Sequence, residues 1–225
     1  MAKRLFDVLI SGIVLAFLSV PFLVVGLLIR VTSAGPVFYR QRRIGRDGGP
    51  FLIYKFRTMR VTDSGPWVTA EGDARITRVG GFLRRWKIDE LPQFWNVFRG
   101  DMSIIGPRPE VEKFVLLYTL AQREILRAMP GFASMAQLIF PHESDLLRGQ
   151  ADPEGFYVRQ LLPRKVALDL AYERHRTLLT DLWLAGQLGL MILGRRSHAD
   201  RTPIDAGGRT PERTSETPQA PPRTR

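Results

Sequence analysis

The stretch VLISGIVLAFLSVPFLVVGLLI, Val8 to Ile29, carries no charge and almost no polar side chain. A helix needs about 20 such residues to cross the hydrocarbon core of a bilayer, so the segment belongs in a membrane. Other readings compete with this one. A signal peptide is one, since Thr32–Ala34 (TSA) loosely resembles a cleavage site, but the apolar run exceeds the usual h-region of about 7–15 residues. A simple spanning helix and a buried helix of a soluble core are the others. Two features favour a re-entrant helix that dips into the bilayer and returns. Pro21 lies mid-segment; it lacks an N–H, leaves the carbonyl of Phe17 without its helical partner, and bends the chain. The hydroxyl of Ser19 is placed to satisfy a freed backbone group. The second feature is charge: Lys3 and Arg4 precede the segment, and Arg30, Arg40, Arg42, Arg43 and Arg46 follow it. Basic residues flanking membrane segments prefer the cytoplasmic side, and only a returning helix keeps both clusters there. At 1.5 Å per residue the limbs either side of the Ser19–Pro21 break measure ~18 and ~13 Å, and neither crosses alone.

The rest of the 225-residue chain suits one domain with appendages, since 44% hydrophobic residues are enough for a core. A formal charge of +11 and a pI near 10.8 imply an anionic partner: nucleic acid, phospholipid or a phosphorylated substrate. With no cysteine, disulfides, thiolate chemistry and Cys-based zinc sites are excluded. The histidines His142, His175 and His198 have no metal-ligand spacing such as HExxH, and no GxSxG elbow supports a catalytic triad.

PVFYRQRRIGRDGGPFLIYKFRTM predicts two strands, Val37–Gln41 and Phe51–Arg57, joined by a turn at Asp47–Pro50. A polar loop from Arg60 to Asp73 follows, then a helix from about Thr77 to Trp86. Leu91, Phe94, Trp95 and Phe98 repeat at helical spacing and predict another amphipathic helix. Glu112–Met129 reads as helical, and Leu161–Leu193 as one or two helices whose apolar end packs on the core or lies at a membrane surface. Residues 195–225, rich in Pro, Thr, Arg and Gly, read as a disordered basic tail. The expected organisation is a membrane helix over 1–34, one α-rich α/β domain over 35–194, and that tail.

The chemistry-bearing residues cluster in RRWKIDELPQFWNV. Asp89 and Glu90 are adjacent acids behind Arg84, Arg85 and Lys87. Asp89 as a helix cap, with Pro92 in the first turn, is the structural reading. A cap needs one acid, however, and nearby cations and a helix N-terminus lower a carboxylate's pKa. An aspartate kept ionised in this way can act as a nucleophile. In GDMSIIGPRPE, Arg108 stands between Pro107 and Pro109, whose fixed φ angles stiffen the backbone. That suits a phosphate clamp, although an Arg in a surface turn reads the same. Asp101 is placed to orient one of these arginines, to ligate a hard cation such as Mg²⁺, or to sit exposed in a turn. Lys55 and Arg57 alternate with aromatics on the second strand, as a basic face or as solvated side chains.

PVFYRQRRIG, YKFRTM, DARITRVGGFLRR, DELPQFWNVFRGDMS and GPRP stand in the order seen in bacterial sugar transferases, the monotopic polyprenyl-phosphate phosphoglycosyl transferases. The resemblance covers roughly residues 3 to 193, and the apolar segment with its mid-helix proline resembles the family's re-entrant helix. It implies transfer of a sugar phosphate from a nucleoside diphosphate sugar, usually a UDP-sugar, to a polyprenyl phosphate such as undecaprenyl phosphate, with release of UMP. That is the first membrane step of a glycoconjugate or exopolysaccharide pathway. By resemblance, Asp89 is the nucleophile and lies near Mg²⁺, Glu90 positions groups or assists proton transfer, and Arg84, Arg108 and Lys55 bind phosphate. Asp101 and Gln137 support the site, and Ser19 and Pro21 mark the break in the membrane helix. The implied place is the cytoplasmic face of the bacterial inner membrane. The implied partners are a nucleotide sugar, a polyprenyl phosphate and phospholipid; nucleic acid is not among them, and no feature specifies an oligomeric state. Where the family usually has PGITGWAQVNGR, this chain has PGFASMAQLIFPHE, Pro130 to Glu143, which keeps Gln137 but alters its surroundings. A non-enzymatic membrane-tethered protein that binds anionic lipid or nucleic acid is the alternative from another class, and a nucleotide-sugar hydrolase is a third.

Overall fold

The structure, a computed structural model, describes residues 2–60, 73–141 and 143–192. The expected tail, 195–225, and most of the loop after Arg60 lie outside the described residues.

The apolar segment forms α1 (Ala2–Thr32), a single helix with Pro21 inside it. α1 runs through Ser19 and Pro21 as one element, so the two expected limbs are joined helically; a re-entrant bend belongs to the membrane placement proposed below. A proline removes one hydrogen bond, and in a long apolar helix the flanking turns hold without it. Ser19 donates its hydroxyl to the carbonyl of Ala16 (2.8 Å), not to that of Phe17. The helix is long and apolar enough to cross a membrane, with a mean hydropathy of 2.7. One face carries Leu5, Leu9, Ile13, Phe17, Val20, Val24 and Leu27, all exposed. The other lies along the domain, where Asp7, Ser11 and Ile29 are buried. Both ends are bonded to the same body. Near the start, Arg4 donates to the carbonyls of Val97 (2.6 Å) and Phe98 (2.8 Å), and Asp7 accepts from the amide of Ile104 (3.1 Å). Just past the exit, Arg57 donates to the carbonyls of Ser33 (2.6 Å) and Ala34 (2.7 Å).

β1 (Phe38–Ile44) and β2 (Pro50–Phe56) pair antiparallel, from Phe38 opposite Phe56 to Ile44 opposite Pro50. β1 runs beyond the expected end at Gln41. Arg43 there is held by Gln41 and by the carbonyl of Pro109, and the amide of Ile44 donates to the carbonyl of Glu110. The outer edge of β2 is closed by one side chain. Asn96 donates to the carbonyl of Leu52 (2.7 Å) and accepts from the amide of Tyr54 (3.1 Å), as a third strand would.

α2 (Arg78–Arg85) begins at Thr77, whose hydroxyl accepts from the amide of Gly80 (2.9 Å). A Cβ at Gly80 would lie 2.0 Å from the carbonyl oxygen of Thr58, so only glycine lets α2 sit this close to the end of the hairpin. The predicted amphipathic helix after the acid pair splits into a 3-10 turn, Ile88–Gln93, and α3 (Phe94–Arg99). β3 (Ser103–Ile105) pairs in parallel with β4 (Gly131–Ala133), a second sheet that periodicity did not reveal.

Glu112–Met129 is not one helix: α4 spans only Glu112–Val115, and a 3-10 turn occupies Gln122–Arg127. Between them Thr119 and Gln122 exchange side-chain-to-backbone hydrogen bonds, the local competition that makes threonine a poor helix interior residue. Among the described residues the α-helices that follow are α5 (Met135–Ile139), α6 (Glu143–Leu147), α7 (Pro153–Phe156), α8 (Leu162–His175) and α9 (Leu178–Ile192). One core gathers Val97, Met102, Ile105 and Leu184; another gathers Phe114, Tyr157, Leu161 and Leu162. A small third core, Ile29, Phe56 and Leu83, lies under the exit of α1. The architecture is the expected α-rich α/β class, with small sheets placing three loops around one turn.

Candidate active site

That turn is the 3-10 segment carrying Asp89 and Glu90. Lys87, just before it, has φ 54° and ψ 18°, a left-handed conformation that a side chain disfavours. The bend folds the chain back on α2 and turns both acids inward, where each is 6% exposed. Glu90 meets two cations from separate elements. Lys55 of β2 donates to Oε1 at 2.7 Å, and Arg108 from the turn after β3 donates to the same oxygen at 2.6 Å. Burial pushes the Glu90 pKa up, but Arg108 and Lys55 overcome it and hold this carboxyl well below the usual range. The same burial lowers the pKa of Lys55.

Asp89 is treated differently. Its Oδ1 is buried and has no hydrogen-bond partner. Burial, reinforced by the charge of Glu90, raises the Asp89 pKa to about 6 against the opposing fields of Lys55, Arg84 and Lys87. The expectation that neighbouring cations lower this pKa is therefore corrected: desolvation and the adjacent acid outweigh them, while a pKa near 6 still leaves the carboxylate mostly ionised at neutral pH. Asp89 is not a side-chain cap either, since the turn has none. Gln93, on the same turn and 1% exposed, also has its Nε2 buried without a partner.

Of the other expected site residues, Lys55 and Arg108 come together on Glu90, and Arg84 acts on Asp89 through its charge from the last turn of α2. Asp101 orients neither Arg84 nor Arg108; it accepts from Asn96 Nδ2 (3.2 Å) and faces Arg99 (3.8 Å) at the end of α3. Gln137 closes a capping box with Ser134, accepting from its amide at 3.0 Å, and so shapes the start of α5. Arg57 is buried at the exit of α1 instead of forming a basic face with Lys55. Among the described residues no three His, Asp or Glu side chains are grouped to hold a metal ion. A cation here would have Asp89 as its protein ligand and would take its other oxygens from substrate and water.

Several residues escaped sequence reasoning. Asp169 on α8, 5% exposed, accepts from the amide of Ala136 at Oδ1 (2.8 Å) and from the amide of Arg108 at Oδ2 (3.2 Å). Glu110 accepts from Tyr157 and from Lys165 (3.4 Å) at one oxygen and from Arg43 (3.4 Å) at the other, and Lys165 also meets Glu143 at 2.8 Å. The one signal for Asp169 was an acid set among apolar residues in VALDLAY.

A family profile described as bacterial sugar transferase matches residues 1–193. The chain is 37% identical over 185 residues to a UDP-glucose:undecaprenyl-phosphate glucose-1-phosphate transferase of Klebsiella pneumoniae, covering 80% of this chain and 37% of that protein. It is 36% identical over 189 residues to a UDP-N-acetylgalactosamine-undecaprenyl-phosphate N-acetylgalactosaminephosphotransferase of Aeromonas hydrophila, covering 79% of this chain and 44% of that protein. It is 38% identical over 198 residues to the exopolysaccharide production protein ExoY of Sinorhizobium fredii, covering 80% of each. The chain thus spans less than half the length of the first two relatives and most of the third.

Proposed function

The chain belongs to the bacterial sugar transferase family, and from that premise we propose that it moves a sugar phosphate from a UDP-sugar to undecaprenyl phosphate through a covalent intermediate on Asp89. The observation that carries this reading is the unpartnered, buried Oδ1 of Asp89 beside a Glu90 whose charge is already matched. A buried carboxylate oxygen without a donor is costly, and such groups persist where a reaction uses them.

In the first half-reaction an Asp89 carboxylate oxygen attacks the sugar-bearing β-phosphorus. The P–O bond to the bridging oxygen breaks, and UMP departs with that oxygen and its electron pair. The product is an aspartyl phosphate ester of the sugar. In the second, an oxygen of the lipid phosphate attacks the same phosphorus, the bond to Asp89 breaks, and the carboxylate is restored with a polyprenyl diphosphate sugar as product. Arg108 and Lys55 hold Glu90 and set a positive field at the diphosphate, while Arg84 and Lys87 act on the nucleophile. The donor set fits Mg²⁺ carried in with the diphosphate, since this ion is commonly held by one or two carboxylates plus phosphate oxygens and water. When bound it neutralises diphosphate charge.

Membrane placement is part of the proposal. The apolar face of α1 lies in lipid, and both ends stay on the cytoplasmic side. The attachment of Arg4 and Asp7 at one end and of Ser33 and Ala34 at the other to one body supports that topology. Cysteines introduced at positions 5 and 45 should label from the same face, and labelling from opposite faces would overturn it.

The activity is tested by UMP release from UDP-glucose and UDP-N-acetylgalactosamine, with and without undecaprenyl phosphate. UMP release sustained only with lipid phosphate, and a phosphosugar adduct on residue 89 by mass spectrometry, are the expected results. Sustained turnover without lipid phosphate would make the protein a hydrolase. Unchanged release by Asp89→Asn would remove the intermediate.

A further inference from the structure

Arg108 comes from the turn after β3 and ends on a carboxylate of the 3-10 turn. Its value as a clamp depends on where its backbone stands. A cavity of about 30 Å³, lined by Pro107, Arg108, Glu110, Lys165 and Asp169, lies against the turn, whose Pro107 and Pro109 are buried. Hydrogen bonds fix its position together with that packing. The carbonyl of Pro107 accepts from the amide of Gly131 (2.8 Å), and that of Pro109 accepts from Arg43 (3.1 Å). The amide of Arg108 itself donates to Asp169 (3.2 Å).

The second oxygen of Asp169 accepts from the amide of Ala136, in the first turn of α5. One carboxylate on α8 thus joins two loops far apart in sequence, the Pro107–Pro109 turn and the Ser134–Gln137 box. Both its oxygens are occupied by backbone N–H groups, and its side chain is buried. An amide in its place offers one acceptor oxygen and one NH₂, and the NH₂ would face a second donor.

On the transferase reading above, we propose that Asp169 is a positioning residue: through the main chain it fixes Arg108 for the donor diphosphate and yokes that clamp to the start of α5. Changes in the 134–137 segment then reach the donor site without touching it.

Three readouts test this. The first is kinetic. Asp169→Asn should raise the KM for UDP-glucose or UDP-N-acetylgalactosamine roughly tenfold, the loss of a hydrogen bond to a charged group, with kcat changed less than about threefold. The second is a cycle with Arg108→Lys. If Asp169 works through Arg108, its substitution should raise KM less than about twofold in that background; an equal effect in both backgrounds overturns the proposal. The third is independent of activity. Hydrogen exchange in peptides covering 104–110 and 133–139 should accelerate together in Asp169→Asn while the rest of the chain stays protected. Protection unchanged in either peptide overturns the yoke. Should Asp169→Asn fail to fold, Asp169→Ser carries the same comparisons. A wild-type protein that releases no UMP defeats the transferase reading, and hydrogen exchange then judges the yoke by itself.

Discussion

Two buried charge clusters sit at opposite ends of the Arg108–Glu110 segment and differ in how their charges are matched. Around Glu110, each carboxylate oxygen has a cation or a hydroxyl, and Lys165 spans two acids. Burial pushes the Glu110 pKa up, yet Lys165 and Arg43 win and the group sits below its usual value. Around the acid pair, Lys55 and Arg108 both spend their bonds on one oxygen of Glu90, while Asp89 Oδ1 receives none. The first cluster has its carboxylate oxygens matched; the second leaves one unmatched, a cost in stability that the proposed reaction would account for. Lys87, two residues before Asp89, is left-handed.

The comparison breaks most decisively by mutation. Asp89→Asn should lower UMP release at least about a thousandfold, the scale expected when a covalent nucleophile is lost. Glu110→Gln should leave release within about threefold and instead destabilise the fold by about 1–3 kcal/mol, measured by denaturant unfolding, because Arg43 and Lys165 lose a buried countercharge while Lys165 keeps Glu143. Equal activity losses in the two variants would erase the distinction.

Stability against pH should run in opposite senses. The Asp89 pKa is raised, so the native state keeps a proton that the unfolded chain has released; stability falls as pH rises from about 4 to 6 and stays lower above. Asp89→Asn should therefore unfold later than the wild type at pH 7.5, by up to about 3 kcal/mol, with the gain fading below pH 4. The Glu110 pKa is lowered, so its contribution is present above its unfolded pKa and is lost as pH falls through the native value. The Glu110→Gln deficit should shrink in acid. In wild-type single-turnover assays, UMP release should rise with pH to a plateau with a midpoint near 6, as Asp89 loses its proton.

The smallest effect sharpens the comparison. Lys87→Gly relieves a left-handed side chain and should stabilise by about 0.5–1 kcal/mol. It also removes a cation that favours ionised Asp89, so the midpoint of the release profile should move to higher pH.

Much of this molecule could be read from local pattern. The hairpin was legible from alternation and DGGP, α2 from the helical spacing of Val79, Phe82, Leu83 and Trp86, and the acid pair from the crowding of like charge. Other features depend on partners distant in the chain. The direction of the Asp89 pKa shift turned on burial, which a list of neighbouring arginines does not convey. Asn96, a polar residue in an aromatic run, closes a sheet edge contributed by Leu52 and Tyr54. Asp169 and Arg108 meet across 61 positions. Helical composition over Glu112–Met129 misled for a local reason: α4 ends at Val115, and Thr119 and Gln122 cap one another where the separate 3-10 turn begins.

The double fastening of α1 has a mechanical outcome. A helix tied at one point absorbs a change in bilayer thickness by tilting. One tied through Lys3, Arg4 and Asp7 at its start and by Arg57 beyond its exit cannot tilt alone, so the whole body must rock with it. On the proposed membrane placement, rocking would raise or lower Asp89 relative to the headgroup plane that presents the proposed acceptor. Turnover in vesicles should then peak at one acyl-chain length and fall on either side, which would make the protein a gauge of bilayer thickness.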